Sequence, residues 1–91
     1  MPKYIIEREI PGVEKLSDRD TKAAAMNSNR ALAELGSDIQ WQHSYISKDK
    51  THCVYVASDE EIVRKHAEKV GTPIISITKV ENLWDPTTGD A

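Results

Sequence analysis

Three side chains combine the donor atoms and the placement needed to hold a divalent cation: His43, His52 and Glu7. Imidazole nitrogen and carboxylate oxygen are ordinary ligands for nickel and zinc, and imidazole is the side chain that titrates nearest neutrality. His43 lies in the alternating run Asp38 to Ser47. His52 follows the polar turn Ser47-Lys48-Asp49-Lys50, in the β-rich run Thr51 to Ala57. A hairpin closed by that turn pairs position 45 with 52 and 43 with 54, which carries both imidazoles to one face. A slip of one residue would send them to opposite faces. Glu7 is a charge in the middle of a central strand, where a carboxylate is costly unless paired or coordinated. If strand one neighbours strand three, Glu7 meets His52 there. Two imidazoles and a carboxylate, with water completing the sphere, suit nickel, with zinc as the alternative.

Each of these residues also has a plainer reading. His43 in an apolar strand is either a ligand or a hydrogen-bonded structural imidazole. His52, beside a polar turn, is a ligand or a solvated side chain, and Glu7 is a ligand or the ion-pair partner of Arg8, Lys79 or a second subunit. The third histidine, His66, reads as packing at the edge of the core. Cys53 is the single cysteine, so it makes no internal disulfide and no thiolate-rich zinc site. In a strand it reads as a small buried hydrophobe. Trp41 and Tyr55 read as core or interface. With no Gly-rich phosphate loop, paired-cysteine motif or Ser/His/Asp set, no residue is assigned to catalysis.

The elements that must position these side chains follow from periodicity. Lys3 to Glu9 alternates, with Tyr4, Ile6 and Arg8 on one side and Ile5, Glu7 and Glu9 on the other, and Pro11-Gly12 closes it. Ser17 caps a helix from Asp18 to Leu35, with Asp18 and Asp20 in its first turn and Gly36 as its left-handed stop. In strand two, Ile39, Trp41, His43 and Tyr45 share one side. Ser58-Asp59-Glu60-Glu61 has the form of a capping box for a second helix carrying Ile62, Val63, His66, Ala67 and Val70, which Gly71 and Pro73 end. Ile74 to Glu81 is strand four, with Ile75 and Ile77 alternating against Ser76 and Thr78. The order is β-α-β-β-α-β: an α+β domain over residues 1–82, with a four-stranded antiparallel sheet and two helices on one face. A flexible tail spans 83–91.

Ninety-one residues hold one core, and so small a domain is marginal alone. Apolar side chains on more than one face of the strands point to a homodimer or higher oligomer formed through the sheet. A net charge of −3 offers no footprint for nucleic acid or acidic membrane. Strand three also lacks the glycine-and-aromatic pattern with which RNA-binding domains of this topology stack bases. No segment reads as a signal peptide or a membrane span, so the cytoplasm is the expected compartment.

The stretch Trp41 to Ala57, read as Trp-x-His-Ser-Tyr-x-Ser-x-Asp-Lys-Thr-x-Cys-Val-Tyr-x-Ala, resembles a small bacterial family. So does the opening Tyr4-Ile5-Ile6-Glu7-Arg8-Glu9. The family includes nickel-responsive, nickel-binding proteins of ferredoxin-like fold that assemble as dimers or larger oligomers. The resemblance implies motif roles for His43, Ser44, Tyr45, Cys53 and Tyr55, whereas His52 stands where an aromatic residue is expected. Two functions follow as expectations. One is non-catalytic nickel storage, buffering or sensing. The other is a small enzyme or ligand-binding domain of the dimeric α+β barrel kind, with an apolar cavity between sheet and helices and His43 or Tyr45 as acid or base.

Overall fold

The computed structural model describes residues 1–90. Its elements are β1 (Lys3–Glu9), α1 (Asp18–Leu35), β2 (Ile39–Ser47), β3 (Lys50–Ala57), α2 (Glu60–Val70) and β4 (Ser76–Lys79). Short 3-10 turns lie at Val13–Lys15 and Pro86–Gly89. The strands form one antiparallel sheet in the order β2-β3-β1-β4, the ferredoxin-like arrangement expected from the element order. Alternation in β1 and β3 sends Tyr4, Ile6, Cys53, Tyr55 and Ala57 to the helix side, where Ile39 and Val63 complete the core. Leu32, Leu35 and Ile62 close it from the helices.

The chain ends of the helices explain their limits. The Asp20 N–H donates to Ser17 Oγ at 3.1 Å, as the sequence predicts. At α2 the cap is Asp59 and not Ser58: the Ile62 N–H donates to Asp59 Oδ1 at 3.0 Å. The Ser58 N–H is engaged by the Asp38 carbonyl at 2.9 Å, which extends the β2–β3 hairpin and delays the helix by one residue. Gly71 is left-handed, at φ 77° and ψ 17°. Gly36 is not, because φ 86° with ψ −156° lies in a region open essentially to glycine alone. A Cβ there meets nothing within 4 Å, so any penalty is one of backbone conformation. Gly36→Ala is expected to cost about 1–3 kcal/mol, read as a lower urea midpoint at unchanged m-value.

Two expectations about strands need correction. β4 is shorter than Ile74 to Glu81: the strand runs from Ser76 to Lys79, flanked by hydrogen bonds from the Ile75 and Val80 N–H groups to the Glu7 and Lys3 carbonyls, while Ile74 packs against the core and Ile75 is exposed. In β2 the ladder pairs Trp41 with Tyr55 and then His43 with Val54, leaving Gln42 as an extra residue in a bulge. Ile39 and Trp41 therefore face the helices, and His43 and Tyr45 face away. Ser44 takes the helix side in place of His43 and accepts a hydrogen bond from Trp41 Nε1 at 2.9 Å.

Residues 82–90 are exposed, and the turn at Pro86–Gly89 is capped by Asp85, whose carboxylate accepts from the Thr87 N–H at 2.9 Å. Among the described residues no helix is long and apolar enough to cross a membrane.

Candidate functional site

On the sheet face turned away from the helices, Glu7, His52 and Tyr45 form one row across β1, β3 and β2. His52 Nε2 lies 3.0 Å from Glu7 Oε1, and Lys50 Nζ lies 4.0 Å from the same oxygen. The expected approach of strand one to strand three is thus present, with the 45/52 and 43/54 pairings of the hairpin. Arg8 cannot pair with Glu7, because consecutive strand residues point to opposite faces, and Lys79 pairs with Tyr4 three positions away.

His43 shares this face and is exposed, but it sits one row along, opposite Val54. Its ring lies 5.1 Å from that of Tyr45 in an edge-to-face contact. Among the described residues no group of three or more His, Cys, Asp or Glu side chains is close enough to hold a metal ion. The expected set of Glu7, His43 and His52 is therefore not assembled within one chain. Diagonal neighbours on adjacent strands stand about 7–8 Å apart at Cα, and His43 is turned onto Tyr45 instead. An imidazole beside a carboxylate is a chemically suitable pair of donors for nickel or zinc, so the residues present fit a two-donor site.

Behind the sheet, between it and α1, lies a cavity of about 490 Å³ bordered by Trp41 and Tyr55 but not filled by them. His43 and Tyr45 are on the other face, so the acid or base role expected of them cannot serve this space. Its polar groups include Arg8, Ser28 and His66, none of them among the expected site residues. Arg8 is 4% exposed, and among the described residues its Nε and Nη2 have no hydrogen-bond partner. His66 is 1% exposed and is bonded through Nε2 to Ser28 Oγ at 3.1 Å. Burial first, and the Arg8 charge second, lower the His66 pKa to about 4, against a smaller opposing effect of Ser28. Burial foremost raises the Tyr55 hydroxyl above its usual value, with Arg8 among the opposing influences. A sequence signal for Arg8 existed, since the alternation of β1 places it beside Tyr4 and Ile6 on the core side.

The model of the nickel responsive SCO4226-like proteins matches residues 4–80, which is most of the chain. The chain belongs to that family. A structural match is the crystal structure of SCO4226 from Streptomyces coelicolor A3(2), with a TM-score of 0.73, covering 90% of this chain and 99% of that one. Identity to it is 12%, so the likeness is one of fold. No curated protein matches the chain. The family resemblance seen in the Trp41 to Ala57 stretch and in the start of β1 falls inside the matched span.

Proposed function

We propose that the chain binds a divalent metal ion, nickel foremost and zinc as the alternative, on the open face of its sheet. The role is storage, buffering or sensing, without catalysis. The observation that carries this reading is the 3.0 Å approach of His52 Nε2 to Glu7 Oε1. It supplies one nitrogen and one oxygen donor from two adjacent, hydrogen-bonded strands, whose separation the ladder fixes. The family name supports nickel as the ion. Lys50, near the same carboxylate oxygen, competes for Glu7 and sets a threshold that a bound cation must exceed. Two protein donors leave positions for water, or for the same pair from a second copy facing the first across the sheet.

Calorimetric titration of metal-free protein with nickel and with zinc tests this. One ion per chain indicates a site completed by water, and one per two chains a site completed by a second copy. Outer-sphere partners alone are worth about 10–100-fold in metal affinity, so His52→Ala and Glu7→Gln are each expected to lower it by at least about 100-fold. His43→Ala is expected to change it less, because His43 stands outside the pair. Flat heats with both metals would sink the proposal.

A further inference from the structure

The cavity behind the sheet contains a cation that no described residue neutralises. Arg8 remains charged at any ordinary pH, and it is almost wholly buried. Among the described residues no aspartate or glutamate borders the space. His66 offers no countercharge either, being a base that burial keeps neutral at pH 7. A buried charge left unpaired is strongly destabilising, and a chain that keeps one normally provides it with a partner. The two orphaned nitrogens, Nε and Nη2, form one edge of the guanidinium. Their N–H bonds run parallel and match the two oxygens of a carboxylate or the oxygen pair of a phosphate. His66 Nδ1, on another bordering residue, is also buried without a partner among the described residues.

The rest of the lining selects between those anions. Val13, Leu16, Ala25, Trp41 and Val70 surround the space with apolar surface, and the volume lies in the range of small-molecule sites. A bare phosphate would leave most of that surface in contact with water. A carboxylate with an apolar body would satisfy both the guanidinium edge and the walls.

We propose that this cavity is a binding site for a small organic carboxylate with an aromatic or aliphatic body, its anionic end on Nε and Nη2 of Arg8 and its body against Trp41 and the apolar face of α1. The site is independent of the metal reading, since it lies on the opposite face of the sheet from Glu7 and His52. Filling it removes the unpaired charge, so the ligand stabilises the fold as well as occupying it.

The test is titration of metal-free protein with phenylacetate and octanoate, with phenylacetamide and octanamide as neutral counterparts and inorganic phosphate as the bare anion. Binding of at least one carboxylate, at least about tenfold tighter than its amide and than phosphate, is expected; one charge-assisted bidentate contact readily supplies that factor. Arg8→Met should abolish the preference for carboxylate over amide while raising the thermal midpoint of the ligand-free protein, because it replaces an unpaired buried charge with a hydrophobe of similar length. Arg8→Lys, which keeps charge but loses the fork, should weaken carboxylate binding by about tenfold. Absence of carboxylate binding at millimolar concentration, or equal binding of acid and amide by the unaltered protein, would overturn the proposal without recourse to any variant. So would a lowered midpoint for a folded Arg8→Met protein.

Discussion

As the pH falls from 6.5 to about 4, the protein is expected to lose about 2–3 kcal/mol of stability through His66 alone. In the folded state this imidazole is held neutral, with its pKa lowered to about 4 by burial and by the adjacent Arg8 charge, whereas in the unfolded chain it titrates near 6.5. Above pH 6.5 it is neutral in both states and its contribution is fully present. Below that, the unfolded chain takes up a proton that the folded one refuses, so stability falls until the folded imidazole protonates as well. Urea unfolding at several pH values measures this. His66→Gln, which can still bond Ser28, should show a shallower loss across the same window, with the difference between the two proteins confined to it. Parallel curves for the two proteins would refute the assignment. Such a loss is a large share of the total for a domain of this size, whose net stability is on the order of 5–10 kcal/mol.

The second large effect is expected at Ile6, fully buried in β1 between Cys53 of β3 and Ile77 of β4. Its position on a central strand leaves no neighbour free to collapse, since the ladder fixes both flanking backbones and the helices close the face above. Ile6→Ala should therefore cost about 3–4 kcal/mol, combining lost transfer energy with the cavity left behind. For a chain of this length that lowers the thermal midpoint by roughly 10–25 °C. Ile5→Ala, one residue away on the open face, is the natural comparison and should cost much less. A loss below about 1 kcal/mol at Ile6 would mean that the sheet and helices are less firmly packed than their geometry implies.

The elements and the hairpin register were legible because each rests on local chemistry. Ser17 and Gly71 mark helix ends, and Asp49 at φ 60° sits in the turn that sets the pairing of 45 with 52. Asp49 also ties the segment after β1 to that turn: its side chain accepts from the Gly12 N–H and its carbonyl from the Ile10 N–H, both at 2.8 Å. Strict alternation failed at Gln42, because a bulge changes which face a residue takes without changing its neighbours in sequence. That one residue moves Trp41 away from His43 and Tyr45. The Glu7–His52 contact was conditional on register and is present; a third donor was expected from residue type and is not, because sharing a face does not imply sharing a row. Arg8 is no partner for Glu7, because its place beside Tyr4 and Ile6 in the alternation sends it inward. What composition could not provide is the cavity itself, whose volume depends on how far α1 stands from the sheet.

The extra residue in β2 has a further effect. β2 is an outer strand of nine residues, and a straight strand of that length exposes a row of free N–H and C=O groups to which another chain can add. At Gln42 two residues take the space of one, so the spacing of those groups is broken part-way along and the strand twists more sharply. A visiting strand could match the first few positions or the last few, but not the whole length. Runaway fibre growth along that edge is discouraged.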